Sequence, residues 1–395
     1  MNRPPLEVAD IVRSAGSSFI ERNRKWINGQ HEKVLAAITR CRTAALGGHR
    51  DQCSDCGYTA ISYNSCRNRH CPRCQGNARL RWLQAREREL LPTRYVHVVF
   101  TIPRELAPLA LQNKRLIYNL LFQTSAKTLL EIARNPRHLG AEIGFFSVLH
   151  TWDQRLQHHP HVHCVVAAGG LAPDHTRWIS SPGSFFLPVK VLSRVFRGKF
   201  VAALQNGFRE GKIEFHGQLT ALANPRTFAS WLRLVFRQKW VVYCKPPLEG
   251  PEHALHYLSA YTHRVAISNH RLLALADGNV TFRWRDSAHG NCQRITSLLV
   301  DEFLRRFLLH LLPNGFMRIR NFGFLANRRR AKFLPLCFRL LQQTPPPTAP
   351  PATPSAPSSS VPKCPRCGGT MHVVERLSVA QLLLRSPPNS RRCTA

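Results

Sequence analysis

The apolar positions change period several times along the chain, and each change marks an element. From residue 6 to 45 they recur at intervals of three and four, which predicts helices with one buried face. Residues 49–76 are rich in Cys, Asn and Arg and carry little periodicity, so they read as a knuckle held by metal. A helix is predicted from Asn77 to Leu91, closed by Pro92. Alternation on β-branched runs predicts strands at Tyr95–Thr101, ended by Pro103, at Gly144–Trp152 and at His161–Ala168. A helix over 113–134 separates the first two strands, and Gly169-Gly170 breaks the third. Helices over 190–210 and 225–238, a strand at Lys239–Cys244 and a helix near 251–262 follow. Short strands around 265–275 and 280–285 are joined by an Asp277-Gly-Asn turn signal. An amphipathic helix covers 298–311, and an Arg-rich segment runs from Arg318 to Lys332. Between Thr344 and Pro362 the chain is Pro-, Ser-, Ala- and Thr-rich and cannot bury a core. No internal repeat is evident.

These shifts divide the 395 residues into a helical, metal-binding head over 1–92, a larger mixed domain over 93–340, a Pro-rich linker over 341–362 and a short cysteine-bearing tail over 363–395. The expected class is α+β.

Charge narrows the partners. Lys plus Arg is 56 against 22 for Asp plus Glu, a formal +34. A polyanion is the natural partner, nucleic acid first and an anionic membrane surface second. The basic residues are spread along the chain, which predicts an extended electrostatic track and strongly salt-sensitive binding. No segment approaches the roughly 18 uninterrupted apolar residues of a membrane span, and the N-terminus lacks a signal peptide's apolar stretch. The expectation is a cytoplasmic, nucleoid-associated protein with no membrane partner. The 13 cysteines then read as metal ligands or buried thiols rather than disulfides.

Cys53-x2-Cys56 and Cys71-x2-Cys74 are two pairs of the kind that turn two thiolates onto one ion, and together they complete a tetrahedral structural zinc site. Cys66 and His70 are alternative ligands, and Cys41 and His49 are near enough for a different set or a second zinc. A redox dithiol is the other reading. Arg67, Arg69 and Arg73, with Arg50, Arg79 and Arg81, surround the cluster and suit phosphate or base contacts. Cys364-Pro-Arg-Cys367-Gly-Gly resembles half of a zinc ribbon, a weak second zinc site whose only nearby completions are His372 and Cys393.

His161-Val-His163 lies on a predicted strand, so both imidazoles project from one face and can share a divalent ion. The preceding strand ends at Thr151-Trp-Asp-Gln, which offers Gln154 or Asp153 as a third ligand, with His97 behind them. Tyr257 and Tyr261 stand four apart on a predicted helix and share one face. A hard cation that neutralises a phosphodiester, next to a phenol that can attack it, describes strand nicking. The bland alternatives are an incidental His pair and tyrosines that merely pack.

Four ordered motifs resemble the insertion-sequence-91-type transposases. Cys53-Ser-Asp-Cys-Gly with Ser65-Cys-Arg-Asn-Arg-His-Cys-Pro-Arg-Cys-Gln75 is similar to that family's zinc-binding head, and Val98-Val-Phe-Thr-Ile-Pro103 to the strand motif that follows. His158-His-Pro-His-Val-His-Cys164 with Gly169-Gly170 looks like its HUH motif (His, hydrophobic, His). Tyr257-Leu-Ser-Ala-Tyr-Thr-His-Arg264-Val-Ala-Ile-Ser268 is similar to its tyrosine motif, in which Arg264 would meet DNA. The resemblance spans about residues 10–335 and implies a central antiparallel HUH-endonuclease sheet flanked by helices. It further implies rolling-circle-like transposition of single-stranded DNA. His161 and His163 would bind Mg²⁺ or Mn²⁺, Zn²⁺ would be structural, and one tyrosine, Tyr261 by its place in the motif, would form a 5′-phosphotyrosine link. No Gly-x4-Gly-Lys-Ser/Thr loop is present, so strand separation would fall to a host helicase or to replication proteins. The rivals are a plasmid replication initiator or relaxase with the same chemistry, and a zinc-dependent DNA-binding regulator without catalysis. Phe282-Arg-Trp-Arg285 is a stretch that can stack bases or serve as an ordinary strand.

Overall fold

A computed structural model describes residues 4–183, 186–245, 265–286, 289–342 and 362–385. Along them run α1 (Val8–Arg22), α2 (Gly29–Arg40), β1 (Gly48–Cys53), β2 (Thr59–Tyr63), α3 (Gln75–Glu87), β3 (Tyr95–Thr101), α4 (Ala107–Gln112), α5 (Lys114–Arg134), β4 (Gly144–Trp152) and β5 (His158–Ala167). Then come β6 (Gly169–Leu171), β7 (Trp178–Ser180), α6 (Val189–Arg209), α7 (Pro225–Arg237), β8 (Val241–Cys244), β9 (Leu272–Ala276), β10 (Asn279–Asp286) and β11 (Cys292–Leu299). The last are α8 (Val300–Leu309), β12 (Ile319–Gly323), α9 (Asn327–Leu340), β13 (Met371–Leu377) and α10 (Val379–Arg385). The fold is α+β with antiparallel sheets. No helix among the described residues is long and apolar enough to cross a membrane.

The compact units do not follow chain order. One gathers residues 4–81, 267–308 and the tail 362–385; the other holds residues 82–266 and 309–342, as far as they are described. The tail, expected as a separate end piece, is thus part of the unit that holds the head.

The larger unit is built on a five-stranded sheet of order β12-β4-β5-β3-β8, antiparallel at every ladder. β5 is central because its Val-His-Cys-Val-Val-Ala run can be buried on both faces. On one face Val98, Phe100, Val162, Cys164 and Val166 meet Tyr118, Leu121 and Phe122 of α5 and Phe196 and Phe200 of α6 in one continuous core. On the other, Tyr95, Phe146, Val148 and Val165 pack with Phe324 and with Phe333, Cys337 and Phe338 of α9. At a typical 1.5–3 kcal/mol for each large apolar side chain buried, these two cores fix the sheet between its helices.

The other unit packs α1 on α2 through Val8, Ile11, Val12 and Phe19 against Val34, Leu35 and Ile38, all buried. Asn28 caps α2 by accepting from the Gln30 and His31 amides. β9, β10 and β11 form a meander whose Phe282 packs edge-on against Phe303 of α8. β1 is the middle strand of a third sheet, β13-β1-β2.

Candidate functional site

Register assembles the site. His161 pairs with His150 on β4 and with Thr101 on β3; His163 pairs with Val148 and Val99; Val165 pairs with Phe146 and His97. Directly paired residues share a sheet face. His97, His150, His161 and His163 therefore project from the same side. One ring nitrogen from each of His150, His161 and His163 lies within 4.8 Å of the others. β5 takes three steps from His161 to His158 where β4 takes two from His150 to Trp152. Pro160, which has no N–H to give a ladder, falls in that bulge.

Hydrogen bonds orient the rings. His161 Nδ1–H donates to the His159 carbonyl at 2.7 Å, so its Nε2 carries the lone pair. His163 Nδ1 lies 2.8 Å from His97 Nε2, the two rings parallel at 5.0 Å, and the pair shares one proton across that contact. Burial holds His97 down to about 3, aided by the charge of Lys245, and holds His161 down to about 4. His97 and His161 are therefore neutral near pH 7, the state in which imidazole is a ligand.

Of the two third ligands expected from the end of β4, Asp153 is engaged elsewhere. Asp153 Oδ1 accepts from the Arg155 and Gln157 amides, each at 2.8 Å, and so closes the turn between β4 and β5. Gln154 sits within that turn. The group that converges on His161 and His163 among the described residues is completed by His150. The overlooked signal was parity: His150 alternates with Phe146 and Val148 along one face of β4. His97, held in reserve as a ligand, stands beside His163 instead.

β8 borders this face. Tyr243 pairs with Val99 and is exposed, and the Lys245 amide donates to the His97 carbonyl at 3.0 Å. Tyr257, Tyr261 and Arg264 lie outside the described residues. The opposite face carries a second polar group. Tyr118 OH lies 2.8 Å from His158 Nε2, and His310 Nε2–H donates to the Leu156 carbonyl while its Nδ1 meets Thr151 Oγ1 at 3.2 Å.

The cysteines assort differently from the nearest-pair expectation. Cys71 and Cys74 converge with Cys41 and Cys66, whereas Cys53 and Cys56 converge with Cys364 and Cys367. In the first group the Cys74 sulfur is 3.5 Å from those of Cys41 and Cys66. A tetrahedral zinc with Zn–S of ~2.3 Å separates its sulfurs by ~3.8 Å, so the spacing fits. Hydrogen bonding with Cys41 and its neighbours pushes Cys71 far above the usual thiol range, while that with Cys66 draws Cys41 down to about 7. Cys41 ends α2, and its buried sulfur is placed by the helix rather than by a CxxC turn. His70 belongs to neither group.

The basic residues of the head divide in two. Arg67 and Arg69 are exposed. Arg73, expected at DNA, is largely buried: it donates to the Cys41 carbonyl at 2.7 Å and pairs with Glu7, so it braces the cysteine group. Arg50 pairs with Glu375 at 3.3 Å. Arg283 and Arg285 of β10 are exposed, while Phe282 is core. In the larger unit a cavity of about 520 Å³ is lined by Arg115, Asn119, Arg320, Asn327, Arg328 and Arg329 among others.

Comparison with known proteins gives the same direction along most of the chain. Residues 11–102 match the family described as "Transposase zinc-binding domain", and residues 144–332 the one described as "Putative transposase". The chain is 53% identical over 346 residues to "Putative transposase y4qJ" of Sinorhizobium fredii, covering 88% of this chain and 87% of that protein. It is 28% identical over 323 residues to "Transposase for insertion sequence element IS801" of Pseudomonas savastanoi pv. phaseolicola, covering 80% and 75%. No solved structure matches it.

Proposed function

The chain belongs to the insertion-sequence-91-type transposase family, and on that premise we propose that it nicks and rejoins single-stranded DNA at element ends through a 5′-phosphotyrosine intermediate. Its partner is DNA, and structural Zn²⁺ belongs to its zinc-binding domain. The observation that carries the finer reading is the convergence of His150, His161 and His163 within 4.8 Å on one face of an antiparallel sheet, the arrangement an HUH endonuclease requires.

The donor set fits a divalent cation. Three imidazoles from two adjacent strands, presented on one sheet face, are nitrogen donors that such an ion accepts. Bound there, Mg²⁺ or Mn²⁺ supplies positive charge to the scissile phosphate. His161 offers Nε2 because its Nδ1–H is held by the His159 carbonyl. His163 offers Nε2 when its Nδ1–H donates to neutral His97, which makes His97 a positioning residue.

The phenol of Tyr261 or Tyr257 is the nucleophile of this scheme. Its oxygen bonds to phosphorus and loses its proton; the bond to the 3′-oxygen breaks, and that oxygen leaves as a hydroxyl. The DNA 5′ end stays on the tyrosine, so the bond energy is kept for rejoining. The cavity on whose lining Arg328 is exposed supports the reading by offering a basic side chain to a phosphate backbone.

The test is a denaturing gel with labelled single-stranded element-end DNA, run with and without Mg²⁺ or Mn²⁺. A metal-dependent, protease-sensitive adduct in the wild type, absent from the Tyr257→Phe/Tyr261→Phe double variant, is expected. Cleavage that survives His161→Ala or needs no metal would overturn the scheme.

A further inference from the structure

We propose that Cys53, Cys56, Cys364 and Cys367 bind a second structural zinc, which completes a zinc ribbon from the two ends of the chain and clasps the tail to the head. The Cys53 and Cys367 sulfurs are 3.5 Å apart and those of Cys56 and Cys364 3.6 Å. Both separations are far from the ~2.05 Å of a disulfide and close to the edge of a zinc–tetrathiolate tetrahedron. All four sulfurs fall within 4.8 Å of one another, apart from the group of Cys41, Cys66, Cys71 and Cys74. The two groups therefore call for two ions.

The two halves have the same local build. Cys53-Ser-Asp-Cys-Gly57 and Cys364-Pro-Arg-Cys-Gly368 each turn back so that the glycine amide donates to the first cysteine's carbonyl, at 3.2 and 2.9 Å. Gly57 and Gly368 make that turn at φ +68° and +77°, where a side chain is strained. In each, the amide two residues on, that of Asp55 or Arg366, donates to the first cysteine's sulfur at 3.4 Å. N–H groups aimed at sulfur favour thiolate, the form that binds metal.

The backbone joins the halves as well. β13 pairs antiparallel with β1, from Cys53 opposite Met371 to Gly48 opposite Leu377, and β2 pairs with the other edge of β1. The Ser54 amide donates to the Thr370 carbonyl at 3.0 Å. At the cysteine end of this sheet the apolar cluster consists of Cys53, Cys364 and Met371, with Tyr58 and Ala60 packed against them. Two of those three buried side chains are cysteines, so this end of the sheet is built around sulfur rather than hydrocarbon, and an ion is the usual staple for so small a cluster. The matched zinc-binding region ends at residue 102, so this site draws half its ligands from outside it. It does not depend on the nicking scheme.

The test measures zinc per chain by elemental analysis in the full-length protein. Two ions are expected in the wild type and one in Cys364→Ser/Cys367→Ser. The ligand-conserving Cys364→His variant is expected to keep two. Limited proteolysis is the second readout: cleavage between the linker and Arg385 is slow in the wild type and fast in the serine variant or after chelation. Two ions retained in the serine variant, or a tail equally protected with and without zinc, would overturn the proposal. A wild type carrying a single ion would do the same.

Discussion

His150 of β4 stands directly opposite His161 of β5, their ring centroids 5.5 Å apart at nearly right angles. That pairing puts a third imidazole where two strands, not one motif, meet. It predicts that His150→Ala removes the metal response of DNA cleavage, whereas Gln154→Ala leaves it in place. Isothermal titration with Mn²⁺ reads the difference. Equal metal affinity in wild type and His150→Ala would return the third position to the turn.

His97 tests orientation separately from ligation. Loss of a partner that fixes a ligating histidine typically weakens metal affinity 10–100-fold. His97→Ala is expected to raise the metal concentration for half-maximal cleavage by roughly that factor and to recover at excess metal. Recovery distinguishes it from His163→Ala, which stays inactive. A His97→Ala enzyme with an unchanged metal requirement would make the contact to His163 incidental.

Much of this site was readable along the chain, and the unread part has one cause. The strands expected at Tyr95–Thr101, Gly144–Trp152 and His161–Ala168 are present, the last beginning three residues earlier at His158, and alternation also gives the shared face of His161 and His163. The third imidazole of the group, His150, is not legible in this way, because ladder register is a long-range property. Gln154 is nearer in sequence, but Leu149-His150-Thr151 reads as ordinary core. The cysteines failed the same way: Cys71 and Cys74 are the next pair after Cys53 and Cys56, yet the partners of the latter arrive at Cys364 and Cys367. β11 went unseen because Cys292-Gln-Arg-Ile-Thr-Ser has no buried face to imprint a period. α9 went unseen because Arg328, Arg329, Arg330 and Pro335 mask a helix whose buried residues are Phe333, Cys337 and Phe338.

Acid should loosen the larger unit through its buried histidines. Burial lowers His310 to about 3 and His158 well below its ordinary 6.5. Both are neutral when folded and take up protons when unfolded. Between pH 6.5 and about 3 the unfolded chain therefore binds more protons, and stability falls as pH falls through that window. The slope reaches at most about 1.4 kcal/mol per pH unit for each such histidine. Thermal melts from pH 7.5 to 5 are expected to show falling Tm, with a shallower slope in His310→Asn. An identical slope in the variant would remove His310 from the account.

The basic cavity makes a prediction about salt rather than chemistry. Arg328 is exposed on its lining, whereas Arg320 is already engaged, donating to Asn119 Oδ1 at 2.6 Å and lying over the Phe122 and Phe316 rings. If DNA phosphates follow this lining, Arg328→Ala lowers the slope of log K against log salt by about one. The loss should be similar for every sequence tested, because a phosphate contact carries no base information. Arg320→Ala should instead lower the melting temperature, since it removes a cation stacked on two aromatic rings. Fluorescence anisotropy across 50–300 mM salt, run beside a melt of each variant, separates the two. An unchanged salt slope in Arg328→Ala, with stability intact, would take the cavity out of the DNA path and leave the exposed Arg67 and Arg69 of the head as the next contacts to test.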